Sequence, residues 1–239
     1  MRKPRIGLMS RKLEGKEYFA IIEGAREAII RFGGIPIVLL SVQKEDARVE
    51  PEKAKKYSKQ EKEDLEQLLA LCDGFLLPGG DSWYELDELT IDYARKKDLP
   101  LLGICLGMQT LGKVFSKEKQ IAKDNTILNN TKINHCQLDN DKVHKVQIKK
   151  ESKLFEIIGK REIMVNSRHN YHIKEIEEKY ISARSPDGLI EGIEDPNNTF
   201  CIGVQWHPEN LIEKDAFSKK LFKTFFEVVR RKMEQGKRV

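Results

Sequence analysis

The stretch Leu99-Pro100-Leu101-Leu102-Gly103-Ile104-Cys105-Leu106-Gly107-Met108-Gln109 decides how the rest of the chain is read. Residues 101–104 are an apolar run of strand length, and beyond Cys105 the apolar positions Met108, Leu111 and Phe115 recur at helical spacing. The cysteine therefore stands at a strand-to-helix corner. Gly103 and Gly107 flank it, as a sharp turn requires where two backbones approach with no room for a Cβ. Such a corner lifts the sulfur clear of a sheet and aims the first amides of the helix at it. Those amides lower a thiol pKa and offer donors to an oxyanion. The pattern is that of a nucleophile elbow with cysteine in place of serine.

Upstream of the corner, apolar runs alternate with amphipathic stretches. Residues 5–9 read as a strand, 16–32 as a helix with Tyr18, Ile22, Ala25 and Ile29 on one stripe, and Gly33-Gly34 as its stop. Residues 35–40 read as a second strand, apolar on both faces as a parallel strand covered by helices should be. A polar surface excursion over 43–60 leads to a helix at 60–71, a third strand at 72–77 and a helix at 81–97. Short turns between alternating strands and helices predict an α/β fold with a doubly wound, mostly parallel sheet, whose ligands lie at the carboxyl ends of the strands. Pro78-Gly79-Gly80-Asp81 follows the third strand at that same edge, where a glycine pair lets backbone amides turn toward a ligand.

Downstream the pattern changes. Residues 125–141 are polar and irregular, and 143–148 and 162–165 alternate as antiparallel strands do, with a helix at 152–158 between them. Residues 180–184, the turn Pro186-Asp187-Gly188, and residues 189–193 and 200–206 continue a smaller antiparallel section in the C-terminal half. A helix at 214–233 closes the chain, its buried face formed by Phe217, Leu221, Phe225 and Val228. No repeat, low-complexity tract or linker interrupts the 239 residues, so residues 1–239 are expected to form one domain.

Composition limits the function classes. Lysine and arginine total 43 against 38 acidic side chains, a formal charge of +5, but the two signs are interspersed. The basic runs at 53–62 and 230–238 read as solvated faces, so no nucleic-acid partner is expected. Cys72, Cys105, Cys136 and Cys201 show neither disulfide nor metal-ligand spacing, and no metal or organic cofactor is expected. No apolar segment reaches the length of a membrane span, and no signal region precedes the first strand, which points to no membrane partner and a cytoplasmic location. That compartment keeps a catalytic thiol reduced.

A cysteine nucleophile needs a base, and the base an orienting group. His207 follows the apolar run 200–206 and so emerges at a strand end, with Glu209 two residues on across the stiff corner of Pro208. His135, His144 and His172 fit no motif and read as surface or packing residues. Cys72, Cys136 and Cys201 read as inert thiols, Cys72 and Cys201 on buried strands.

Three motifs in this order, Pro78-Gly79-Gly80, residues 103–109 and Val204-Gln205-Trp206-His207-Pro208-Glu209, resemble the class I glutamine amidotransferase superfamily. Within it, residues 185–194 with 203–209 look like the gamma-glutamyl hydrolase branch (peptidase C26), which includes gamma-glutamyl-gamma-aminobutyrate hydrolases. Val165-Asn166-Ser167-Arg168-His169 is similar to that branch's Val-Asn-Ser-x-His substrate-pocket motif. The resemblance implies a flavodoxin-like fold and a Cys105, His207, Glu209 triad. It implies an oxyanion hole from the backbone amides of Gly80 and Leu106, with Gly79 permitting the turn. Asn166, Ser167 and His169 are implied at the substrate. Gln109 is either a substrate contact or a helix-packing residue, and His169 either a pocket donor or structural.

The implied activity is cysteine-dependent hydrolysis of a small gamma-glutamyl amide through a thioester. Two alternatives stand beside it. One is a glutaminase subunit delivering ammonia to a separate synthetase partner, and the other is a binding or regulatory relative without turnover. Self-association is compatible with each. Leu106 stands where many members of the branch carry arginine, and it favours the glutaminase. Asn170 and Tyr171 replace the usual second histidine and glutamine, and Phe115-Ser116-Lys117-Glu118-Lys119 replaces a Gly-Gly segment.

Overall fold

A computed structural model of the chain describes residues 2–12, 18–42, 56–81, 83–116, 121–123 and 133–236. Nine strands make its main sheet: β1 (Arg5–Met9), β2 (Ile35–Leu39), β3 (Gly74–Leu77), β4 (Leu101–Ile104), β5 (His144–Ile148), β6 (Glu162–Val165), β7 (Ile181–Arg184), β8 (Ile190–Glu194) and β9 (Cys201–Val204). Their spatial order is β6-β5-β7-β8-β9-β4-β3-β1-β2. From β9 to β2 every pairing is parallel, while β8, β7, β5 and β6 add antiparallel strands beyond β9. The parallel half thus has the order of a doubly wound flavodoxin-like sheet, with the antiparallel section in the C-terminal half.

Among the described residues six α-helices cover the sheet: α1 (Glu23–Arg31), α2 (Lys59–Leu69), α3 (Glu85–Lys97), α4 (Leu106–Phe115), α5 (Lys153–Ile158) and α6 (Ala216–Gln235). Successive strand residues point to opposite faces, which divides the core in two. Ile6, Leu8, Leu76, Leu102 and Ile104 face α1, α5 and α6, where Ile29, Leu154, Phe222, Phe225 and Phe226 are buried. Met9, Phe75, Leu77 and Leu101 face α2, α3 and α4, against Leu65, Leu69, Ile91, Met108 and Leu111. β3, β4 and β9 are buried throughout, whereas β5 alternates buried and exposed residues as a strand with one open face should.

Several local expectations are corrected. The first helix begins at Glu23, because Phe19–Ala20 pairs instead with Arg11–Lys12, and Tyr18 is exposed; residues 13–17 lie outside the described set. The aromatic and β-branched run at 18–22 suits extended backbone as well as helix. β2 is an edge strand, so Ile35 and Val38 stay 43% and 45% exposed and its two faces are not both covered. The third helix starts at Glu85, and Cys72 is buried two residues before β3. The closing helix starts at Ala216, where the Asp215 side chain accepts from the Phe217 and Ser218 amides at 3.0 and 2.9 Å; Phe217 is only partly buried. Most of the excursion at 43–60, parts of 125–141 and of the basic runs, and Lys117 to Lys119 lie outside the described residues. No helix among the described residues is long and apolar enough to cross a membrane.

Candidate active site

Cys105 caps α4 with φ 51° and ψ −105°, a left-handed conformation that a side chain rarely adopts. Such a residue stores about 1–3 kcal/mol and persists only where its surroundings over-determine it. Here its amide donates to the Val204 carbonyl at 2.9 Å, and its own carbonyl accepts from the Gln109 amide at 2.9 Å. The crossing of β4 and α4 is closed by glycine on glycine. A Cβ on Gly103 would sit 2.8 Å from the Gly107 carbonyl, and one on Gly107 would collide with the Leu77 carbonyl of β3. Leu106 is the first helical residue, and its amide is one that no helix can satisfy internally.

His207 and Glu209 follow the end of β9, the parallel neighbour of β4. The Nδ1 of His207 lies 2.7 Å from Oε1 of Glu209, and the ring and the Cys105 side chain both border Gly79. The His207 side chain is 14% exposed and that of Glu209 1%. Burial disfavours the imidazolium, but the Glu209 carboxylate and the Cys105 sulfur outweigh it and raise the pKa to about 10. The backbone of His207 is held on both sides by Asn166, whose Nδ2 donates to the His207 carbonyl at 3.0 Å and whose Oδ1 accepts from the His207 amide at 2.8 Å.

The turn after β3 closes over these groups. A Cβ on Gly79 would lie 3.0 Å from His207 Cε1 and 3.7 Å from Cys105 Cβ, and Gly80 has φ 155° beside the Leu106 side chain. A residue absent from the sequence reading fixes this turn. Arg11, 4% exposed, donates from Nη2 to the Pro78 carbonyl at 3.0 Å and from Nε to the Gly79 carbonyl at 3.2 Å. Its Nη1 lies 2.9 Å from Asp87, itself fully buried on α3. With those carbonyls drawn to the guanidinium, the turn keeps its backbone in one orientation. The signal was present in the sequence as a charge two residues after the end of β1, but nothing there tied Arg11 to residue 78.

The remaining expected residues spend their polar atoms within the protein. Gln109 Nε2 donates to the Tyr171 carbonyl at 2.7 Å and to Gln205 Oε1 at 3.1 Å. Ser167 Oγ donates to the His135 carbonyl at 2.8 Å. His169 turns Nε2 toward Glu191 Oε1 at 3.5 Å, within a buried group that also holds His135 and His144. His135, His144 and His172 are therefore interior residues, at 4%, 5% and 1% exposure, not surface ones. Burial holds the pKa of His135 below its ordinary value against the pull of Asp187 and Glu191. Burial pushes the Cys72 and Cys201 thiols up to about 12, which makes them poor nucleophiles.

The model of the peptidase C26 family matches residues 81–209. The chain belongs to the peptidase C26 family. It is 28% identical to the gamma-glutamyl-gamma-aminobutyrate hydrolase of Escherichia coli over 94% of this chain and 93% of that one. It is 32% identical to the CTP synthase of Lactobacillus johnsonii over 68% of this chain and 35% of that enzyme. Among solved structures, the glutaminase domain of Trypanosoma brucei CTP synthase with bound acivicin superposes with a TM-score of 0.63 at 19% identity, covering 96% of this chain and 94% of that one. The peptidase C26 chain thus has the class I glutamine amidotransferase fold and is an amidotransferase-like hydrolase.

Proposed function

We propose that this peptidase C26 protein hydrolyses gamma-glutamyl amide bonds, releasing glutamate and an amine. The observation that supports the reading is the contact of His207 Nδ1 with the Glu209 carboxylate at the carboxyl edge of β4 and β9, with the His207 ring and Cys105 both bordering Gly79. In this scheme Cys105 is the nucleophile, and His207, oriented by Glu209, holds it as thiolate or takes its proton. Sγ adds to the gamma-carbonyl carbon, and the new oxyanion is met by the amides of Gly80 and Leu106 across the Gly79 turn. The carbon–nitrogen bond then breaks as His207 gives its proton to the departing amine. Water, deprotonated by the neutral imidazole, adds to the thioester carbon; the carbon–sulfur bond breaks, and glutamate leaves. The route uses only groups of this chain, with residues 1–239 acting as one domain.

In the same reading Asn166 positions His207 through its backbone, and Gln109, Ser167 and His169 form the inner wall of the substrate site. Full-length likeness to a gamma-glutamyl-gamma-aminobutyrate hydrolase supports an amine as leaving group. Leu106, whose buried side chain packs by Gly80, supports the second reading, a glutaminase that serves a synthetase. Steady-state assay of the isolated chain on gamma-glutamyl amines and on glutamine separates the two. Hydrolysis of the amines without a partner is expected, and Cys105→Ser should lower kcat/KM at least about 10³-fold. Glutamine hydrolysis that rises only on adding a synthetase would overturn the first reading. Absence of any acyl-enzyme with a gamma-glutamyl electrophile would overturn both.

A further inference from the structure

Behind the candidate active site, four side chains far apart in sequence converge on one point. His135 precedes a short ladder of Cys136–Gln137 with Ser167–Arg168, His144 opens β5, His169 ends the Val-Asn-Ser-x-His motif, and Glu191 lies on β8. All four are buried, at 4%, 5%, 3% and 0% exposure. Around Oε1 of Glu191 lie Nδ1 of His135 at 3.6 Å, Nε2 of His144 at 3.6 Å and Nε2 of His169 at 3.5 Å. The four ligand atoms are all within 4.8 Å of one another. These separations are too long for hydrogen bonds. They lie near the edge of about 3.3 Å that a tetrahedron of nitrogen and oxygen donors about 2.0 Å from Zn2+ would have.

The outer nitrogen of each ring determines what the inner one offers. His135 Nε2 lies 2.9 Å from the Asp187 carboxylate, His144 Nδ1 3.0 Å from the Lys145 carbonyl and His169 Nδ1 3.1 Å from the Tyr171 carbonyl. A carbonyl or carboxylate oxygen only accepts, so each outer nitrogen carries the proton and the inner nitrogen of each neutral ring presents a lone pair, that of His135 also lying 3.3 Å from Ser167 Oγ. Three lone pairs and a carboxylate then face each other. His144 Nε2 and both carboxylate oxygens of Glu191 make no hydrogen bond among the described residues. Leaving such groups buried without a partner costs about 1–3 kcal/mol each, more where one is charged. A divalent cation would satisfy them together, and outer carboxylate and carbonyl partners are what metal-binding histidines characteristically have.

We propose that His135, His144, His169 and Glu191 form a buried four-ligand site for a divalent transition metal, with Zn2+ the fitting ion. Three neutral imidazoles and one carboxylate suit its borderline softness and its preference for four ligands. Glu191 and Asp187, which holds the outer nitrogen of His135 and also accepts from Ser185 Oγ, together balance the two positive charges. The site would brace the base. Ser167 ties the His135 carbonyl beside Asn166, and the Glu191 carbonyl accepts from the Gln205 amide at 2.9 Å, two residues before His207. It also assigns a task to both late motifs, since Ser-Pro-Asp-Gly-Leu-Ile-Glu supplies Asp187 and Glu191, and Val-Asn-Ser-x-His supplies Ser167 and His169.

The test uses the full chain carrying Cys105→Ser, so that the candidate nucleophile cannot bind metal, after dialysis against a chelator. Titration with Co2+ should give one equivalent with the visible bands of a tetrahedral site, displaced by Zn2+. Proton spectra of the Co2+ form should show three exchangeable, paramagnetically shifted imidazole N–H signals. Glu191→Gln and His144→Gln should weaken binding by at least about tenfold, and Asp187→Asn by about 10–100-fold. Far-UV circular dichroism of each metal-free variant checks its fold, and the three N–H signals of the parent decide the matter where a variant fails to fold. Less than a tenth of an equivalent bound, or a Co2+ spectrum lacking those signals or indifferent to Glu191→Gln, overturns the proposal. None of these readings depends on turnover.

Discussion

At Cys105 a strained backbone and a charged neighbour serve the same end. The left-handed φ places the sulfur at the start of α4, and against the effect of burial Glu209 and Cys105 raise the pKa of His207 to about 10. Ring titration followed by NMR should therefore show His207 protonated through neutral pH in the parent. In Cys105→Ala and in Glu209→Gln it should shift toward the ordinary value, because each removes one attraction that offsets burial. An unchanged titration would refute the pairing. Stability follows with a definite sign. The folded pKa exceeds the unfolded value of about 6.5, so the contribution is complete below that pH and is lost as pH climbs through about 10. Thermal unfolding across pH 6.5–10 should fall more steeply in the parent than in His207→Gln. Each of these three residues was recognisable in the sequence from its motif, whereas the charge state of His207 depends on distances only the fold supplies.

Among elements, the approach of α4 to β4 and β3 tolerates no side chain at residue 107. Gly107→Ala should cost at least about 2–3 kcal/mol in denaturant unfolding, since the atom it meets is the Leu77 carbonyl and backbone cannot step aside. The turn after β3 leans on Arg11 and Asp87. Arg11→Met leaves Asp87 buried without its cation and should lose about 3–5 kcal/mol. The pair Arg11→Met with Asp87→Leu should recover most of that stability yet keep a kcat defect with little change in KM, which separates positioning of the turn from support of the fold. Recovery of kcat together with stability would show that Arg11 serves the fold alone. The strand–helix alternation was legible because buried parallel strands are continuously apolar. The start of α1 was not, because the run at 18–22 fits either period and its pairing with residues 11–12 decided it.

Across the whole molecule, one turn ties the C-terminal helix to the end of α3. Asp98, left-handed at the end of α3, accepts from the Thr199 amide and hydroxyl at 2.7 and 2.6 Å, from Asn198 at 3.3 Å and from Lys232 of α6. Burial opposes its charge, but these donors hold its pKa well below the ordinary carboxylate range. A depressed pKa contributes stability above the unfolded value of about 4 that is lost as pH falls toward the folded one. Asp98→Asn, which keeps the left-handed backbone, should flatten the loss of thermal stability between about pH 4 and 2; an unaltered acid slope would exclude Asp98 as its source. By itself the sequence determined the doubly wound class, the elbow at Cys105 and the candidates His207 and Glu209, because local periodicity and contiguous motifs carry that information. Only the tertiary structure decided that Arg11 meets residues 78 and 79, that Asn166 holds His207, and that His135, His144, His169 and Glu191 share one buried point. Those partners lie 41 to 68 positions apart or on or beside separate strands, and their meeting depends on strand order, which no local pattern encodes.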